Sequence, residues 1–87
     1  MTRPIAIDLF AGVGGMSLGF EQAGFDVVAA VEIDPIHAAA HAFNFPRCAI
    51  LPQTVVGLTG RNIRDAAGLT DQPINVVFGG PPVRAFQ

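Results

Sequence analysis

The chain predicts an α/β domain with a parallel sheet in the order 3-2-1-4, and three observations carry that expectation. Short apolar runs alternate with segments of helical spacing along the 87 residues. A glycine cluster, Asp-Leu-Phe-Ala-Gly-Val-Gly-Gly at 8–15, follows the first apolar run directly. An acidic residue, Glu32, closes the second run 20 residues after Gly12.

Each element follows from local chemistry. Pro4 to Phe10 is apolar almost throughout, as a parallel strand covered on both faces must be. Met16, Leu18, Phe20 and Ala23 supply the apolar positions of a first helix, and Gly24 sits where a left-handed cap ends it. Asp26 to Glu32 forms the second strand. Asp34 before Pro35 is an N-cap followed by a proline at the first helical position. Ile36, Ala39, Ala40 and Phe43 repeat behind it at helical spacing, and Asn44 to Pro46 ends the helix. The third strand is either Ala49 to Leu51 or Val55 to Leu58, separated by Pro52. Asn62 to Ala67 makes a short helix stopped by Gly68, and Ile74 to Phe78 is a fourth strand running into Gly79, Gly80, Pro81 and Pro82. This alternation requires right-handed crossovers.

Composition limits the functions open to the chain. One domain at most fits this length, and such a chain buries only about 60 to 65% of the surface it exposes when unfolded. Yet 51% of its residues are hydrophobic and 14% charged, so its apolar surface calls for further cover. The net charge is −2 and the five arginines, Arg3, Arg47, Arg61, Arg64 and Arg84, are scattered, which gives no stripe for tracking nucleic-acid phosphates. Asp8 interrupts the N-terminal apolar residues, and no stretch approaches the ~18 needed to span a membrane; a soluble, cytoplasmic protein is expected. Cys48, the one cysteine, excludes an internal disulfide and reads first as a small buried residue. Phe20, Phe25, Phe43 and Phe45 read as core fillers. His37 and His41 stand four apart, a spacing that can hold a metal from one helical face, but no third ligand accompanies them, so solvated or packed histidines are expected and no metal.

The glycine cluster is where ligand chemistry enters. Gly12, Gly14 and Gly15 lack Cβ atoms, can take positive φ, and let a ligand approach bare backbone N–H groups. Glu32 at the end of the next strand can accept both hydroxyls of a ribose. A structural turn is the lesser alternative for the cluster on its own, and the dinucleotide fingerprint is incomplete because Ser17 occupies its third glycine position. A phosphate-cradling P-loop is excluded, since the chain contains no lysine. A nucleoside-like ligand without a polyphosphate remains.

Three segments, DLFAGVGG at 8–15, VEIDP at 31–35 and GGPP at 79–82, each at the C-terminal end of a strand, together resemble the N-terminal part of DNA cytosine-5 methyltransferases. The resemblance implies a partial Rossmann-like methyltransferase fold, S-adenosylmethionine as cofactor, DNA as substrate and a setting in DNA methylation and restriction-modification. It makes residues 1–87 the cofactor-binding N-terminal part of a catalytic domain, with the target-recognition region absent. Carried over by position, Phe10 is the aromatic beside the adenosine, Gly12, Gly14 and Gly15 form the turn against the methionine part, Glu32 is the ribose carboxylate and Ile33 the apolar residue on the adenine face. Asn62 stands where an aspartate is usual; its carbonyl can accept the adenine amino hydrogen, and Ile63 packs against the ring. The departure is at Val83, where the family has the cysteine that adds to carbon 6 of a flipped cytosine. Arg84 and Gln87 also depart, while Phe86 agrees. Three readings follow: a cytosine-5 methyltransferase portion inactive by itself, one subunit of a split enzyme completed by a second chain, or a dinucleotide-binding oxidoreductase fragment, which Ser17 and the Pro81-Pro82 pair disfavour.

Overall fold

A computed structural model describes residues 3–79. The chain runs β1 (Ile5–Asp8), α1 (Gly15–Gln22), β2 (Asp26–Val31), α2 (Pro35–Asn44), β3 (Ala49–Leu51), α3 (Gly60–Ala67) and β4 (Val76–Phe78). The four strands form one sheet in the order β3-β2-β1-β4, with every neighbouring pair parallel. This is the order expected from the sequence. Between Pro46 and Gly60 the strand is Ala49–Leu51, while Val55 and Leu58 pack against the core from outside the sheet.

Boundaries move for identifiable reasons. β1 stops at Asp8 because that side chain accepts the N–H of Phe10 at 3.1 Å, an Asx-type turn that diverts the chain from the strand path. α2 begins as its residues dictate: Asp34 Oδ1 accepts from Ile36 N at 2.8 Å and His37 N at 3.2 Å, with Pro35 behind it. These bonds, that from His37 foremost, hold the Asp34 carboxyl below the usual range. Thr59 caps α3, and Asn62 returns the bond by accepting from Thr59 N at 3.0 Å, a capping box that starts this helix two residues before its expected beginning. Gly68, at φ 71°, supplies the left-handed stop.

Strand alternation divides the interior between the two faces of the sheet. Ile7, Ala29, Val31 and Leu51 form the apolar core, against which Ile63 and Ala67 of α3 pack together with Val55, Leu58 and Ile74. Asp8 and Ala30 are register partners on the other face, where Ser17 of α1 and His41 of α2 meet the sheet. Arg3 fastens the far end of α1, donating to the backbone oxygens of Glu21, Gly24 and Phe25.

Both helices on that second face turn differently from expectation. In α1 the inward residue is Ser17, while Met16 and Leu18 are half-exposed. In α2 the buried residues are Ala38 and His41; Ile36 and Phe43, expected inward, are 77% and 86% exposed. The reason is that α2 lies over Asp8 and Ser17, so the face able to satisfy a polar partner is turned in, although the more apolar stripe lies elsewhere on the helix. Phe43 is therefore not a core filler. Phe20 and Phe25 do pack, with Phe20 stacked on Phe78 at 3.9 Å between ring centres and edge-on to Phe25 at 5.2 Å.

Candidate cofactor site

The C-terminal ends of β1 and β2 are tied together by backbone and side chain. Ala11 N donates to Val31 O at 3.0 Å, and Gly12 N donates to Glu32 Oε1 at 2.7 Å. Glu32 Oε2 accepts from Asp34 N at 2.8 Å. The carboxylate thus bridges the glycine turn and the start of α2, and each of its oxygens keeps acceptor capacity beyond that one bond. Such a group is fixed in position without being saturated, which is what recognition of a diol requires.

The glycines of the turn divide into two kinds. Gly12, at φ 54°, and Gly15 have nothing within 4 Å of where a Cβ would stand, so their surface is open to a ligand. Gly14, at φ 109°, is different: a Cβ there would run into the ring of Phe45 and stand 3.2 Å from His41 Cδ2. Its requirement for glycine comes from packing beneath the turn as well as from its positive φ. Gly15 does not take positive φ; it is the first residue of α1, and Gly14 is the left-handed N-cap, which carries no side-chain cap bond.

The other expected residues are placed as follows. Phe10, 40% exposed, follows β1 directly, and Ile33, 68% exposed, follows Glu32. Gly79 closes over the same end, its Cβ position lying 3.0 Å from Phe10 N and 3.1 Å from the Phe10 ring; this brings the beginning of the GGPP segment beside the turn. Asn62 is the third residue of α3, its carbonyl oxygen engaged by Thr59 N, and Ile63 is turned toward the apolar core. Phe10, Gly12, Gly15, Glu32 and Ile33 follow the C-terminal ends of the two central strands, β1 and β2, whereas Asn62 and Ile63 serve a helix cap and the core. Val83, with Arg84, Phe86 and Gln87, lies outside the described residues.

Beneath the turn lies a series of polar side chains that sequence reasoning missed. Ser17 Oγ donates to Asp8 Oδ2 at 2.8 Å and lies 3.2 Å from His41 Nε2. Asp8 is 1% exposed, and Ser17 and His41 are fully buried. Burial raises the Asp8 carboxyl above its ordinary value, opposed by the bonds from Ser17 and Phe10 N; burial lowers His41, opposed by the charge of Asp8. One signal in the sequence pointed here: an aspartate inside an otherwise apolar strand needs a partner, and Ser17, noted only as a missing glycine, is that partner. The histidines do not converge, for His37 is exposed beside Asp34 while His41 is turned inward. Cys48 is half-buried ahead of β3, and burial pushes its thiol up to about 12, so it carries no thiolate at neutral pH.

Comparison with known proteins now places the chain. The family model for C-5 cytosine-specific DNA methylase matches residues 5–86. Type II methyltransferase M.XorII of Xanthomonas oryzae pv. oryzae is 63% identical over 86 residues, which are 99% of this chain and 20% of that relative. Type II methyltransferase M.HgiDI of Herpetosiphon aurantiacus is 81% identical over 84 residues, covering 24% of its length. A solved structure of a prophage-encoded DNA modification methyltransferase (E. coli) superimposes with a TM-score of 0.83 at 47% identity, covering 91% of this chain and 22% of that one. The chain therefore spans about a fifth to a quarter of the length of these relatives. A family model matching nearly its whole length, supported by the parallel sheet and the structural neighbour, establishes that the chain belongs to the C-5 cytosine-specific DNA methylase family.

Proposed function

We propose that this chain binds S-adenosylmethionine across the ends of β1 and β2 as the cofactor-binding portion of a cytosine-5 DNA methyltransferase. The observation that carries the reading is the Glu32 carboxylate, held by Gly12 N and Asp34 N with acceptor capacity left for ribose hydroxyls, beside glycines whose open side admits a ligand. Phe10 and Ile33 offer exposed apolar surface for the adenosine, and Gly12 and Gly15 bare backbone for the methionine part. The Asn62 carbonyl, expected to accept from the adenine amino group, is engaged by Thr59 N, and Ile63 packs on the core, so neither carries the reading. When bound, the cofactor supplies the methyl group. Family membership sets the oxidoreductase alternative aside.

DNA is the substrate class, but this chain alone does not methylate it. Val83 stands where the family's nucleophilic cysteine is expected, and valine cannot add to a pyrimidine ring. Cys48 is no substitute, as its thiol stays protonated. A second chain, or further sequence of the same family, completes the domain in the active state; the exposed Met16 and Leu18 of α1 and, on the opposite face of the sheet, Val77 are apolar residues for it to cover.

Calorimetric titration tests the cofactor reading. Glu32→Ala is expected to bind S-adenosylmethionine about 10-fold more weakly or worse, the loss of charge-assisted hydrogen bonds. Equal affinity in the two proteins removes Glu32 from the site. Incubation with tritiated S-adenosylmethionine and mixed-sequence DNA tests inactivity, and label transferred by the wild-type chain overturns it.

A further inference from the structure

The polar series beneath the turn has a defined direction. Ser17 has one hydroxyl proton, and at 2.8 Å it is given to Asp8 Oδ2. Ser17 Oγ must then accept from His41 Nε2, so the neutral ring carries its proton on Nε2. The other nitrogen, Nδ1, is buried and has no hydrogen-bond partner among the described residues. A second proton would put a donor and a charge at that buried nitrogen, where desolvation penalises the charge and, among the described residues, only the backbone of His41 itself offers to receive the donor.

This ring also touches the cofactor turn. His41 and Phe45 pack together at 4.7 Å between ring centres, and both lie directly under Gly14. At the other end of the series, Asp8 holds the N–H of Phe10, the residue that leads into the turn. Neutral His41 therefore meets the glycine segment twice, once by packing and once through Ser17 and Asp8.

We propose that His41 is a positioning residue for the cofactor turn: neutral, it is locked beneath Gly14 through Ser17 and Asp8 and holds the Gly12–Gly15 backbone in its binding position; protonated, it releases that backbone. The groups facing His41 are Asp8 from β1, Glu32 from the end of β2 and the uncharged Ser17 from α1. The two carboxylates and the backbone of His41 favour the imidazolium, but burial outweighs them, so the ring takes its second proton below 6.5.

The cofactor consequence rests on the functional reading above; the backbone consequence does not, and one experiment separates them. The 15N-labelled 87-residue chain is titrated between about pH 5 and 8, following the His41 ring and the Gly12 and Gly14 amides by NMR, and S-adenosylmethionine affinity is measured at the same pH values. The His41 ring is expected to titrate below 6.5, with the glycine amides moving at the same midpoint and affinity falling about 10-fold or more across it. His41→Gln keeps a donor for Ser17 without a titrating ring, and its amides and affinity should not follow pH; should that variant not fold, the wild-type midpoints still decide. His37→Gln serves as the control in which the step persists. A ring that titrates while the glycine amides stay still, or affinity that is flat across the His41 midpoint, overturns the positioning role. Glycine amides that titrate in a chain showing no cofactor binding at any pH overturn the cofactor reading and leave the positioning role standing.

Discussion

On the α3 side of the sheet, Ile7, Ala29, Val31 and Leu51 meet Ile63 and Ala67 in an aliphatic layer, whereas on the α1 and α2 side Asp8, Ser17 and His41 are almost wholly removed from water. Two neighbouring residues of one strand, Ile7 and Asp8, thus look into interiors of opposite character. The aliphatic side is non-directional: its contribution scales with area, and many apolar residues of similar volume would serve. The polar side is directional, since each group there needs one particular partner at one distance, and its members sit immediately under the turn that the functional reading assigns to the cofactor. Burial of a carboxyl and an imidazole is costly, so a side built this way contributes less to holding the chain folded than to holding one segment in one place.

Truncating the aliphatic side should have the largest effect. Ile7→Ala, at a residue 1% exposed in the core, is expected to cost about 2 to 5 kcal/mol by denaturant unfolding. Against a total of about 4 to 13 kcal/mol for a chain of this size, that is a large share of the stability. A loss below about 1 kcal/mol would mean that the α3 layer is not the principal core.

Gly14→Ala strikes the polar side at its contact with the turn. The added Cβ meets Phe45 and His41 while φ stays positive, and a loss of about 1 to 3 kcal/mol is expected in the same assay. Gly12→Ala meets no neighbour, so a smaller loss there than at Gly14 sharpens the distinction between a packed glycine and an open one.

The two sides also differ in their response to acid. His41 is held below 6.5 by burial, so the unfolded chain takes up its proton first; its contribution is fully present above 6.5 and is lost as pH falls below 6.5 through the lowered folded value. Asp8, raised from 3.8 by burial, acts in the opposite sense, its contribution being present below 3.8 and lost as pH rises through the raised value. Thermal unfolding of the wild type should therefore shift downward on moving from neutral pH to just below 6.5, and His41→Gln should lack that shift. An identical shift in both proteins assigns it to another group.

The smallest effect is expected where the sequence pattern pointed to the core and the structure does not. Phe43→Ser, at 86% exposure, should change stability by no more than about 0.5 kcal/mol. A loss of the size expected for a buried phenylalanine, about 3 kcal/mol or more, would restore the apolar stripe of α2 as its inward face.

What the residues determined by themselves is local. Asp34-Pro35 starts α2, Thr59 with Asn62 starts α3, Gly24 and Gly68 end helices with left-handed conformations, and alternating runs with helical connections lead to a parallel sheet in the order 3-2-1-4. Caps, turns and crossover handedness depend on groups a few residues apart, so they are written within short stretches of chain. The glycine turn and Glu32 were legible for the same reason, the one following a strand and the other closing the next. The tertiary structure alone decided which stripe of α1 and α2 faces inward and which strand residue receives a polar partner. Asp8, Ser17 and His41 lie 9 and 24 residues apart, and no single segment states that they meet. Helical periodicity favours the more apolar stripe, but a buried carboxylate must be satisfied, and that requirement turned Ser17 and His41 inward and left Ile36 and Phe43 in water.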